Sequence, residues 1–188
     1  MAQQASIPWP LTIETTRAEL QLYLDTVHEP TTWGRPTRCE PWTVRDITRH
    51  LGATFQRFAD MLEQSRTGDS SPPFAKEELD QQNLLAVDEF EGHPEERLSS
   101  ESDRFLSLIG EGDEPMAHQS GTIPVALQLL YGLNDIVFHH DDVSHAFGYR
   151  YRPHPAVVEL LVPVWDHSLR ALGNGKDDWH RMLTVVGR

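Results

Sequence analysis

Thr43-Val-Arg-Asp-Ile-Thr-Arg-His50-Leu-Gly-Ala-Thr-Phe-Gln-Arg-Phe58-Ala-Asp-Met-Leu62 decides how this chain folds. Thr43 followed three residues later by Asp46 is a capping box in its looser form, in which each side chain satisfies a backbone N–H of the first helical turn. Behind it Val44, Ile47, Leu51, Phe58 and Leu62 recur at helical spacing, which predicts a helix over about 44–65 with one apolar stripe. His50 sits on the shoulder of that stripe. A second long pattern starts at Pro124, a residue favoured in a first helical turn, and runs to Phe147 before Gly148 stops it.

Outward from these two helices the same signals recur. Leu20, Leu22, Leu24 and Val27 behind Thr16-x-x-Glu19 predict a capped first helix from Thr16 to Val27, with residues 1–11 extended. Shorter helices are expected at about 76–90 and 94–109, and two more at about 155–172 and 176–186, with Gly173-Asn174-Gly175 as a turn between the last pair. No segment alternates with period two for long enough to demand a sheet. The reading is all-α: an antiparallel four-helix bundle with additional short helices, spanning residues 1–188 as one domain. Such bundles build their sites from side chains on facing helices.

Composition narrows the function. The chain of 188 residues carries 29 acidic against 16 basic residues, a formal charge of -13, which repels a phosphate backbone wherever no basic patch intervenes. Arg35, Arg38, Arg45 and Arg49 do gather, but Glu40 and Asp46 are interleaved with them. Nucleic acid is therefore not an expected partner. No apolar run approaches the roughly 18 residues of a membrane span. The first ten residues lack the basic and apolar regions of a secretory signal, and Cys39 is the single cysteine, so the expectation is a cytoplasmic protein acting on a small molecule, with a homodimer possible. Cys39 reads as a small buried hydrophobe rather than a nucleophile.

The candidate chemistry lies in His50 and in Asp135-Ile-Val-Phe-His139-His140-Asp141-Asp142. On a helix Asp135 and His139 lie roughly 40° apart around the axis and about 6 Å apart along it, so both can reach one ion. With His50 from the facing helix they make two imidazoles and a carboxylate, three protein ligands that leave positions open on a divalent metal, as a catalytic site requires. Ten histidines in the chain make ordinary surface or core roles common, and a carboxylate four residues before a histidine also makes a plain ion pair. Spacing alone leaves His139 and His140 in competition, because His140 lies nearer the middle of the apolar stripe. Trp33, Trp42 and Phe74 read either as lining a pocket mouth or, more often for loop aromatics beside a bundle, as caps on the core, and Asn83 as an exposed residue or one turned toward the ion.

Arg38-Cys39-Glu40-Pro41-Trp42-Thr43-Val44-Arg45-Asp46-Ile47-Thr48-Arg49-His50-Leu51-Gly52 resembles the C-P-G-W-T-V-R-D-L-x-x-H-L signature of the DinB-like superfamily. More narrowly, it is similar to the branch typified by the N-terminal domain of mycothiol-dependent maleylpyruvate isomerase. Asp135 through Val143 resembles that branch's E-x-x-x-H-x-x-D-hydrophobic signature, and Trp179 through Arg188 its W-x-x-L-L-x-x-x-G-R ending. The resemblance implies a DinB-like four-helix bundle with a divalent metal on His50, Asp135 and His139, of which His50 and His139 are also the catalytic candidates. It settles His139 over His140 and gives Asp142 the task of orienting an imidazole. Zn²⁺ comes first among the ions such ligands accept, with Ni²⁺, Mn²⁺ and Fe²⁺ compatible.

What the resemblance implies for function is a metal-dependent enzyme that binds a low-molecular-weight thiol, mycothiol or one like it, and adds it to an electrophilic small molecule by S-transfer or isomerisation. The chain departs from the pattern at Asp135, where the family has Glu, and at Cys-Glu-Pro-Trp in place of Cys-Pro-Gly-Trp. The isomerase's additional C-terminal domain has no counterpart here either, which turns the expectation away from maleylpyruvate itself. The alternative is a metal-independent cyclase or isomerase, or a small-molecule-binding protein, using the same pocket with His50 or His139 as general acid or base.

Overall fold

The computed structural model describes residues 8–88, 92–171 and 177–188. Seven helices make up almost all of it: α1 (Trp9–Val27), α2 (Val44–Arg66), α3 (Leu79–Asp88), α4 (Pro94–Leu108), α5 (Val125–Ala146), α6 (Pro155–Ala171) and α7 (Asp178–Val185). Two-residue strands β1 (Pro115–Met116) and β2 (Ile123–Pro124) pair antiparallel just before α5. The all-α reading holds, and helix ends fall within a few residues of those expected except at α1.

There the helix begins seven residues early, at Trp9, with a proline in the first turn where a missing N–H costs nothing. Thr16 is therefore no cap. Its hydroxyl donates to the Thr12 carbonyl at 2.7 Å inside the helix, and Glu19 is buried, accepting from the Tyr151 hydroxyl. Residues 1–7 and the turn expected at 173–175 lie outside the described residues. At α2 the capping box forms as expected, with the Asp46 N–H donating to Thr43 Oγ1 and the Thr43 N–H to Asp46 Oδ2 at 2.9 Å. Such a cap contributes about 1 kcal/mol.

The four helices α1, α2, α4 and α5 form the bundle. Side-chain pairs give its directions. Arg97 meets Gln56 and Arg104 meets Glu63, so α4 runs parallel to α2, whereas Arg17 meets Asp103 while Leu24 and Glu95 share a groove, so α1 and α4 are antiparallel. Parallel neighbours need a long connection, which residues 67–93 supply by way of α3. Gly52 lets α2 and α4 close up: a Cβ there would meet the Leu98 backbone nitrogen at 3.3 Å.

Helix α5 faces two ways. Leu129, Ile136 and Val143 enter the bundle core with Leu51, Phe55 and Phe105, while Leu133, Val137 and Phe138 pack on Leu161, Leu169, Trp179 and Met182 of α6 and α7. Both sets are buried, so α5 carries no solvent face over most of its length, and its polar run His139-His140-Asp141-Asp142 is buried with it. No helix of the described residues is long and apolar enough to cross a membrane.

His140 points away from α2. Its Nε2 lies 3.2 Å from both Thr26 Oγ1 and Tyr149 Oη, and its ring stacks on Tyr151 at 4.0 Å between centroids. Burial pushes its pKa down to about 4. A histidine whose folded pKa is depressed adds stability above its unfolded value of about 6.5 and loses it as pH falls toward the folded one. Wild-type protein should thus lose stability between pH 6.5 and 4, on the order of 3 kcal/mol from this residue. His140→Gln, which keeps a hydrogen-bonding group but cannot charge, should flatten that part of the urea-midpoint profile; an unchanged slope would contradict the assignment.

Candidate metal centre

His50, Asp135 and His139 come together at the interface of α2 and α5. The capping box starts α2 so that His50 falls on the side facing α5, and the antiparallel crossing sets it opposite Asp135 and His139. His50 Nε2 and Asp135 Oδ2 are 3.8 Å apart, and the imidazole centroids of His50 and His139 are 5.1 Å apart. Trp42 packs against the core as expected and also lines the cavity, covering both rings at centroid distances of 5.0 Å and 6.2 Å. Trp33 does cap, donating its Nε1–H to the Val27 carbonyl at 2.9 Å.

Electrostatics keep both neighbouring groups in ligand form. Burial lowers the pKa of His50, against the pull of Asp135, so the imidazole is neutral at neutral pH. Burial alone would raise the Asp135 carboxyl, but His50, His139 and Arg57 together hold it below the ordinary aspartate value. Asp135 keeps 36% of its side chain exposed, toward the cavity. His139 is set by Asp142: its Nδ1 lies 3.1 Å from Asp142 Oδ2. A carboxylate at that nitrogen accepts its proton and leaves the Nε2 lone pair free.

Two observations test whether a metal fits. Two ligands near 2.1 Å from a tetrahedral ion stand about 3.4 Å apart, so the His50–Asp135 separation, too long for a hydrogen bond, matches two arms of one ion with slight closure. His50 Nδ1 is buried with no hydrogen-bond partner. The donor set suits the expected ions. The trio is nevertheless open: among the described residues the group whose ligand atoms all lie within 4.8 Å of one another is Cys39, His139 and Asp142. Within that second group Asp142 already has a cation, because Arg188 donates to its Oδ2 at 2.5 Å. Burial and Asp142 raise the Cys39 pKa, against a reactive thiolate.

A cavity of about 450 Å³ opens over the two histidines and Asp135. Its polar lining went unread in the sequence. Arg57 donates to Asn83 Oδ1 at 3.1 Å, and Gln119 and Gln128 keep buried Oε1 atoms without a partner. The signal for some of these was helical: Arg57 follows His50 by seven residues, and Gln128 and Tyr131 precede Asp135 by seven and four, on one face in each case. His118 reaches the same cavity from the loop after β1, where no periodicity marks it. Arg57 also lines an adjoining cavity of about 500 Å³, its guanidinium 5.1 Å from the Phe74 ring.

A sequence model of the mycothiol maleylpyruvate isomerase N-terminal domain matches residues 14–114. The chain belongs to that family. The matched segment includes His50 but ends before α5. A crystal structure of the mycothiol-dependent maleylpyruvate isomerase superposes with a TM-score of 0.67 over 90% of this chain and 72% of that one, at 13% identity. At that identity the likeness speaks for the fold. No curated protein sequence matches the chain.

If the trio is the metal centre, His50→Ala and His139→Ala each lose bound zinc while His140→Ala, turned toward α1, retains it. Elemental analysis after dialysis against a weak chelator measures this, and equal loss in His140→Ala would put the register one residue over.

Proposed function

We propose that the chain is a metal-dependent enzyme that activates a low-molecular-weight thiol of the mycothiol type for addition to an electrophilic small molecule, by S-transfer or isomerisation. The observation that carries this is the neutral His50 imidazole facing the Asp135 carboxylate at 3.8 Å across a cavity large enough for a small ligand. His50, Asp135 and His139 would hold the ion. A divalent metal there supplies acidity, lowering the pKa of a coordinated thiol so that a sulfur nucleophile exists at neutral pH.

The chain's own groups do the rest. Asp142 holds the His139 Nδ1 proton and so aims Nε2. Trp42 shields both imidazoles from bulk water and keeps the local dielectric low. Arg57, the amides of Asn83, Gln119 and Gln128, and the Tyr131 hydroxyl offer a polar wall that hydrogen-bonds a ligand bearing hydroxyl, amide or carboxylate groups. Family membership supports a thiol of this kind as the co-substrate.

One observation favours the second reading, a pocket working without metal. The ligand trio is open, and its carboxylate arm is one methylene shorter than the family's. Asp135→Glu should restore the reach and tighten zinc binding by roughly tenfold or more, about 1.4 kcal/mol, whereas Asp135→Asn, equal in size but uncharged, should weaken it. Competition with a chromogenic chelator measures all three proteins. The functional test is conjugate formation from mycothiol and a panel of small electrophiles. Metal-loaded protein should turn over and chelator-stripped protein should not; equal rates in the two would establish the metal-independent reading.

A further inference from the structure

We propose that Arg188 is a positioning residue for the His139 imidazole, acting through Asp142 as the outer member of an Arg–Asp–His relay. This rests on the reading of His139 as a metal ligand, which it extends by one residue from a different part of the fold.

The relay begins in the backbone. Helix α7 ends in a Schellman motif: the Gly187 N–H donates to the Thr184 carbonyl at 3.2 Å and the Arg188 N–H to the Leu183 carbonyl at 2.8 Å. Gly187 takes φ +77°, a conformation that a residue with a Cβ adopts only with strain. That reversal turns Arg188 back toward α5. Its guanidinium lies 5.6 Å from the Phe138 ring centroid and reaches a fully buried carboxylate.

Asp142 Oδ2 accepts from Arg188 Nη2 at 2.5 Å and lies 3.1 Å from His139 Nδ1. The charge argument makes the contact more than packing. Asp142 has no exposed surface, and an isolated buried carboxylate costs several kcal/mol unless a cation and hydrogen bonds compensate it. The imidazole contributes a hydrogen bond at Nδ1, and Arg188 contributes the opposite charge. Without the guanidinium, Asp142 Oδ2 loses the donor that fixes it against His139 Nδ1, and a carboxylate free to turn no longer dictates which nitrogen of His139 bears hydrogen. The ring then partitions between tautomers, and Nε2 is no longer reserved as a lone pair. The same carboxylate oxygen belongs to the tight Cys39, His139 and Asp142 cluster, so that cluster already carries a guanidinium on one of its ligand atoms.

The test separates orientation from metal binding. Arg188→Met keeps an unbranched side chain of similar reach and removes the guanidinium. ¹⁵N NMR of the metal-free protein should show His139 as the Nδ1–H tautomer in wild type and as a mixture in Arg188→Met. Zinc affinity, read by chelator competition, should fall roughly 10- to 100-fold, the range found when an outer partner of a metal-bound histidine is removed. Arg188→Lys should recover part of both, and a purely structural role would not move the tautomer. If Arg188→Met does not fold, the same tautomer comparison is made on Arg188→Lys, where a shift toward the mixture supports the relay. An unchanged tautomer in a folded variant overturns it. If wild type binds no zinc above His50→Ala, the metal reading fails, and the tautomer still decides whether Arg188 positions His139.

Discussion

Burial of α5 on both sides is the constraint on which the rest of the structure depends. A helix that packs Leu129, Ile136 and Val143 into one core and Leu133, Val137 and Phe138 into another buries the polar run from His139 to Asp142 away from water. Each of His139, His140, Asp141 and Asp142 must then be partnered from a neighbouring element. His140 finds Thr26 and Tyr149, Asp141 finds Arg38 at 3.1 Å, and Asp142 finds His139 and Arg188. The proposed function follows from the imidazole of this run that faces the cavity. His139 spends Nδ1 on Asp142 and keeps Nε2 for the cavity that His50 and Asp135 also line.

The same constraint explains what was legible in the sequence. Helices α2 and α4 are buried along one stripe, and their caps and period were readable to within a few residues. For α5 periodicity favoured His140, since a helix with two apolar faces has no single stripe and its centre falls between them. The structure resolves the competition by direction: His140 turns to α1 and Tyr151, His139 to α2 and Trp42. The early start of α1 was hidden by Pro8 and Pro10, which read as an extended segment but here precede and open a helix. Thr16 and Glu19 mimicked a capping box because both are buried polar residues serving other partners.

Much of the cavity's polar lining was invisible for a different reason. Arg57, Gln128 and Tyr131 occupy helical positions in register with His50 and Asp135, yet nothing in residue type separates them from a solvated face. Only the packing of α2 against α5 and the return of the loop bearing His118 and Gln119 closes them over the histidines. Arg188 depends on still longer-range structure. Its place is fixed by the glycine turn after α7 and by the second core, neither of which touches the helix that carries His50.

The account's central claim is that His50, Asp135 and His139, not the tighter Cys39, His139 and Asp142 group, hold a metal that receives a thiol. X-ray absorption of the zinc-loaded protein before and after addition of mycothiol tests it most directly. The account predicts imidazole and oxygen scattering near 2.0–2.2 Å with no sulfur in the thiol-free protein, and a new zinc–sulfur distance near 2.3 Å once the thiol is added. A sulfur ligand already present before thiol addition would assign the metal to Cys39 and contradict the account.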